Sequence, residues 1–230
     1  MPEKIQKIIK KSLLPILLGC GLFFINIRPY HEWGDDFAQY LQESHNIADG
    51  LALETSTFIH NPEFLRLGPV AYPPGFPVLL VLSNATFTNE ILGGQYLISL
   101  LLLGLGLLLF SLLQKSGKPY WISLLIVLSL WYHPWLLASK SQVLSDIPFA
   151  FFMFLAVYFM DTKQGKQFWL WAALSAGFAI SIRSAGWVLP IAGIAAYILL
   201  LLKDKKAEKQ WLLFSGISSV FALSILWVSG

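Results

Sequence analysis

The sequence predicts an all-α polytopic membrane protein with about seven transmembrane helices, and three observations lead there. Of 230 residues, 56% are hydrophobic and only 13% charged, with a mean hydropathy of +0.64. An ordinary soluble domain does not have that balance. Several apolar runs reach the ~17–25 residues that a helix needs to cross a bilayer. The segments joining those runs sort their basic residues strongly to one side.

The first span is predicted over 12–27. Lys4, Lys7, Lys10 and Lys11 precede it, and no small-x-small cleavage pattern follows, so it reads as an uncleaved anchor rather than a signal peptide. A long polar segment, 28–90, comes next and holds most of the acidic residues. It contains Gly34-Asp35-Asp36, followed by Phe37, Tyr40, Leu41, Ile47, Ala48 and Leu51 at near-helical spacing, with Gly50 as a stop signal. This is expected to be an amphipathic helix lying on the membrane surface. The stretch from Pro69 to Pro77 cannot be regular helix, and its Tyr72-Pro73-Pro74-Gly75-Phe76-Pro77 part reads as a rigid corner. The apolar run behind it, Val78 to Leu82, is too short to span and suits an interfacial or re-entrant helix.

Six further spans are predicted within 91–228. The second, 91–113, carries Gly93, Gly94, Gly104 and Gly106, which allow close helix contact. Lys115 to Pro119 is a tight turn. The third, 120–138, ends in Trp131-Tyr132-His133-Pro134-Trp135, read as an aromatic belt at the interface. Ser145-Asp146-Ile147-Pro148 opens the fourth, and 168–182, 187–202 and 211–228 follow. The whole chain, 1–230, is taken as one transmembrane domain. Cys20 stands alone, with no internal disulfide partner and no metal cluster around it.

Seven spans with a cytoplasmic N-terminus put twelve of the sixteen Lys and Arg residues inside, leaving Arg28, Arg66, Lys140 and Arg183 outside. The same topology gathers Asp35, Asp36, the tyrosine-proline corner, Asp146 and Arg183 on the outer face. Each has a structural reading beside a chemical one. Asp36-x-x-Gln39 fits a capping box, yet one carboxylate of the pair is also a candidate general base. Asp146 with Ser145 suits a helix N-cap, yet a carboxylate at the mouth of an apolar span is costly against lipid and favours a cavity. Arg183 is able to snorkel to headgroups, or to grip a phosphate at the lipid surface. His31, His45 and His60 lack metal-ligand spacing, and His133 reads as a belt residue.

Taken in order, Gly34-Asp35-Asp36 with Tyr40 and Gly50, Tyr72 to Pro77, Ser145 to Phe149, and Ile182-Arg183-Ser184 before Pro190 form a series that resembles the GT-C glycosyltransferases. It is most similar to the branch of protein O-mannosyltransferases, lipid A aminoarabinose transferases and bacterial Rgt-type sugar transferases. The resemblance covers nearly the whole chain. It implies transfer of a hexose or pentose from a polyprenyl-phosphate donor to a lipid, glycan or protein acceptor, at the outer face of the inner membrane. It implies no nucleic acid partner and no resident cofactor, though a carboxylate pair is able to recruit a divalent ion. The presumed base falls on Asp35 or Asp36, the acidic residue before the fourth span on Asp146, and the basic residue after the fifth on Arg183. Tyr72 and Arg66 join Arg183 as expected substrate-binding residues. Some relatives carry a lysine just before the corner. Val70-Ala71 stands there instead, which shifts the phosphate grip to Arg183 with Arg66. Family members are generally longer, so the chain is expected to be truncated at its C-terminus.

Two other readings stand beside this one. In a transporter or flippase-like protein, Asp146 and Arg183 would line a path, but transport routes place ionisable groups near the bilayer midplane. A noncatalytic membrane scaffold would leave these charges dispersed in solvent. Convergence of the four outer residues on one place distinguishes transfer chemistry from both.

Overall fold

A computed structural model describes residues 13–30, 36–55, 71–161, 166–202 and 209–228. Among these residues every regular element is helical. In chain order they are α1 (Leu13–Phe23), α2 (Phe37–Ala48), α3 (Gly75–Asn84), α4 (Glu90–Lys115), α5 (Tyr120–Trp131) and α6 (Pro134–Ser141). Then follow α7 (Asp146–Asp161), α8 (Lys166–Ile182), a 3-10 turn (Ser184–Trp187), α9 (Val188–Leu202) and α10 (Gln210–Val228). The last turn of α1, Cys20–Phe23, is also 3-10.

The core is built around α4, whose 26 residues make a rod about 39 Å long. Its Asn89 side chain caps the helix by accepting from the Leu92 N–H. Leu102 and Ile98 of α4, Leu80 and Phe76 of α3, and Trp131 of α5 are fully enclosed. The small residues of α4 permit this closeness, since a Cβ on Gly106 would lie 2.1 Å from the Trp131 Nε1. The Trp131 indole N–H donates to the Leu102 carbonyl at 2.9 Å. Farther along, Ala156 of α7, Ala172, Ala173 and Ala176 of α8 and Phe214 of α10 form a second buried cluster. Alanines there let the three helix backbones approach.

Among the described residues three helices are long and apolar enough to cross a membrane: Glu90–Lys115, Ser184–Leu202 and Gln210–Trp227. The pair α5–α6 makes a fourth if counted as one broken span. Seven spans are therefore not supported. The physical reason is helix length: α7 has 16 residues and α8 has 17, and the described part of α1 is shorter still, against the ~20 that span the hydrocarbon straight.

The predicted third span is also corrected. It breaks between Trp131 and Pro134 with a 47° bend, because proline removes a donor and restricts the residue before it. His133 becomes the N-cap of α6, its Nδ1 accepting from the Trp135 N–H. The expected aromatic belt divides accordingly: Trp131 is a core residue, whereas Trp135 is exposed.

One buried charge holds this region together. Lys140 on α6 is fully enclosed, and its Nζ donates to the carbonyls of Leu22 at 3.0 Å and Ile25 at 2.6 Å. These are orphan acceptors at the end of α1, which no turn of the same helix can satisfy.

Candidate functional site

The site is assembled at one end of α7 and α8, where α2 and the tyrosine-proline corner meet them. Ser145 accepts the first helical bond of α7 from Phe149 through its carbonyl, and Asp146 occupies the first turn, where the helix dipole favours a carboxylate. Arg183 directly follows α8 in extended conformation. The two meet in an ion pair, Arg183 Nη1 donating to Asp146 Oδ1 at 2.6 Å. Both side chains remain substantially exposed, at 42% and 59%, so the pair is open to water and to a ligand. Arg183 thus points at a carboxylate instead of snorkelling away.

Tyr40 connects this pair to α2. Its hydroxyl shares a hydrogen bond with Ser145 Oγ at 2.9 Å, and Arg183 Nη1 reaches the same Oγ at 3.4 Å. Burial raises the Tyr40 phenol above its ordinary value, with the hydrogen bond from Ser145 opposing. The charges of Asp36 and Asp146 push the same way as burial, and Arg183 opposes them. All three charged residues therefore act on one phenol.

The corner comes in from the other side. The Tyr72 ring lies 4.8 Å from that of Tyr40, and Phe76 meets Tyr40 edge-on at 5.0 Å. The Asp36 carboxylate lies near enough to act on the Tyr72 hydroxyl. Burial raises the Tyr72 phenol strongly, and the Asp36 carboxylate adds to it. It stays protonated. Behind it, Gly75 lies directly on the end of α8, where a Cβ would sit 2.6 Å from the Ser181 carbonyl carbon. Only a residue without a side chain lets the corner come this close.

The capping reading of Asp36 gives way here. Its carbonyl accepts the Tyr40 N–H at 3.1 Å, so it stands at the N-cap position, but its side chain makes no cap hydrogen bond. The carboxylate is turned to Tyr72 instead. Asp36, Tyr72, Asp146 and Arg183 are thus brought to one cluster. Asp35 and Arg66 lie outside the described residues.

Two contributors were not foreseen. Tyr40 was expected on an apolar helix face, yet its hydroxyl is what links the two halves. Glu43, one turn on, is 1% exposed and accepts from the Tyr72 N–H at 2.7 Å and from Gln39 at 3.1 Å. The face of α2 turned inward is in fact Tyr40, Glu43, Ser44 and Asn46, while Ala48 and Leu51 are exposed. Among the described residues no group of three or more His, Cys, Asp or Glu is placed to hold a metal ion. His45 instead pairs with Glu90 of α4 at 2.7 Å. An apolar groove of about 590 Å³ between α8 and α10, lined by Leu174, Leu213, Gly216 and Val220 among others, shares no residue with the cluster.

An uncharacterized protein of Aquifex aeolicus (strain VF5) is 28% identical to this chain over 223 residues. The match takes in 95% of the chain but 43% of that protein. The chain therefore spans less than half the length of this relative. No family model matches, and no solved structure matches.

Proposed function

We propose that this chain is the helical module of a membrane glycosyltransferase that moves a sugar from a polyprenyl-phosphate donor to an acceptor hydroxyl at the outer face. The observation that carries the reading is the joining of Asp36, Tyr72, Asp146 and Arg183, far apart in sequence, through Tyr40 and Ser145. Scattered surface charges would have no reason to meet. The ordered resemblance to the GT-C transferases supports the same reading.

In the reaction, the bond between the sugar's anomeric carbon and the donor phosphate oxygen breaks, and the phosphate leaves with the electron pair. The acceptor oxygen bonds to that carbon and loses its proton to a carboxylate acting as general base. Asp36 is one candidate base, with Tyr72 aiming it, and Asp35 is the other. Arg183 suits the leaving phosphate. Nη1 serves Asp146 and Ser145, and the planar guanidinium also presents Nη2 and Nε. Asp146 fixes the plane of that fork. An oxocarbenium-like transition state is expected by analogy with glycoside chemistry.

The test measures transfer of labelled sugar from a polyprenyl-phosphate donor in membranes containing the protein, beside the Asp35→Asn/Asp36→Asn double variant. Loss of a general base is expected to lower turnover by about 10²–10⁴-fold. A double variant as active as the parent would remove the base assignment. A parent that transfers no sugar from any such donor would sink the reading.

A further inference from the structure

Tyr72 is held by α2 through its backbone N–H, which donates to Glu43, and the Asp36 charge at the start of α2 acts on its hydroxyl. We propose that Glu43 is the positioning residue of this site, a buried carboxyl latch that locks the tyrosine-proline corner onto α2 and so aims the Tyr72 hydroxyl at Asp36. The proposal rests on the functional reading above only for its catalytic consequence; the latch itself is a statement about geometry.

The geometry points to a deliberate fixture. Glu43 is enclosed, with 1% of its surface exposed. One carboxyl oxygen, Oε1, takes both the Tyr72 N–H at 2.7 Å and the Gln39 amide at 3.1 Å. The other, Oε2, is buried and makes no hydrogen bond among the described residues. An ionised carboxylate with an unsatisfied buried oxygen is expensive, whereas a neutral carboxyl is far less so. Burial accordingly pushes the Glu43 carboxyl up to about 7, with the hydrogen bonds from Tyr72 and Gln39 opposing. Along α2 the ionisable side chains flanking it are Tyr40 and His45, and Tyr72 faces it from the corner. The packed helix α3 carries no ionisable residue, and Glu90 of α4 is engaged by His45.

The latch therefore responds to protons in a defined direction. When the corner lifts, Glu43 meets water and titrates at its ordinary 4.5; when closed, it titrates at about 7. The closed form binds the proton more tightly. Closure is thus firmest below 4.5, weakens as the pH rises between those values, and levels off above about 7.

Hydrogen exchange at the Tyr72 amide reads this directly in the full protein held in lipid nanodiscs, corrected for the intrinsic pH dependence of exchange. In the parent, protection is expected to fall at least about tenfold between pH 5 and pH 7.5, a tenfold change corresponding to one pKa unit. Glu43→Gln keeps an acceptor for the Tyr72 N–H and cannot ionise, so its protection should be flat with pH. Glu43→Leu should lose protection at Tyr72 at least about tenfold while Ile98 to Leu105 of α4 stay protected. Equal protection in parent and Glu43→Leu would overturn the latch, and so would a parent-like slope in Glu43→Gln. That slope decides the matter even where Glu43→Leu does not fold. In the transfer assay, Glu43→Leu is expected to lower kcat about tenfold with little change in donor KM, and Glu43→Gln to restore it. A parent that shows the exchange pattern but transfers no sugar overturns the transferase reading and leaves the latch standing.

Discussion

Arg183 separates chemistry from stability more cleanly than any other side chain here. Its ion pair with Asp146 is well exposed, and exposed pairs are worth about 0–1 kcal/mol. Arg183→Lys should therefore leave thermal unfolding almost unmoved. A lysine cannot reproduce a planar fork that serves Asp146 and Ser145 and, in the proposed transfer, the donor phosphate, so donor KM is expected to rise about tenfold or more. Unchanged donor kinetics in Arg183→Lys would take the phosphate role away from it. Tyr40→Phe makes the opposite case. It deletes a buried hydrogen bond to Ser145 at 2.9 Å and should cost about 0.5–1.5 kcal/mol, measured by reversible unfolding in mixed micelles. Asp36, Asp146 and Arg183 were legible in the sequence because ionisable residues beside apolar spans are rare and call for a reason. Glu43 was not. A glutamate on a polar-looking helix reads as solvated, and only the Tyr72 backbone, 29 residues away, reveals why it is inside.

At the level of elements, the corner and the broken helix teach different lessons. Gly75 carries the contact between α3 and the end of α8, and a methyl group there would overlap the Ser181 backbone. Backbone cannot move aside like a side-chain tip, so Gly75→Ala should destabilise the protein by roughly 1–3 kcal/mol and disturb the neighbouring Arg183. Gly216 of α10 has nothing within 4 Å of its Cβ position, so Gly216→Ala is the control and should be neutral or slightly stabilising in the same unfolding measurement. The corner was foreseen at Tyr72-Pro73-Pro74, but Gly75 to Pro77 form the first turn of α3, because a proline in the first turn gives up only an N–H that has no partner there. The break in the third predicted span was hidden because hydropathy averaged from Tyr120 through Leu137 stays high despite the dip at Trp131-Tyr132-His133-Pro134-Trp135. Pro134 was the visible warning. Likewise, the inward face of α2 defied periodicity because its partners are backbone groups: Asn46 donates to the Leu53 and Thr55 carbonyls. Polar side chains are drawn inward where such partners wait.

For the molecule as a whole, the number of spans is set by helix length. Sixteen residues of α7 rise about 24 Å, short of a hydrocarbon layer of about 30 Å. Crossing with such a helix requires local thinning of the bilayer or polar tips reaching up to the headgroups. Asp146 and Asp161, at its two ends, are both exposed and suit those tips. The contacts of α7 also fix its sense: Asp146 meets Arg183 at one end, and Asp161 meets Lys115 at 3.9 Å at the other. If the broken pair α5–α6 crosses, cysteines placed at the exposed positions Gly117 and Ser184 should react with impermeant reagents from opposite sides, since the Asp146–Arg183 pair keeps the adjoining ends of α7 and α8 together. Labelling of both from the same side would rule out that crossing. Hydropathy foresaw which segments are apolar, but it does not measure where a helix stops, and the spans were overcounted for that reason.

The buried Lys140 has a consequence for how the protein is made. It closes the end of α1 across 118 residues of chain, from the Leu22 carbonyl to its own ammonium. At ~5–20 residues per second, a ribosome takes on the order of ten seconds to reach it. Throughout that interval the first helix leaves the translocation machinery with its terminal carbonyls unclaimed, and in lipid such groups need a donor. The nascent first helix must therefore wait beside water or an insertion factor until α6 emerges. A nascent chain stalled before Lys140 should crosslink to that machinery through α1, and one stalled well beyond it should not.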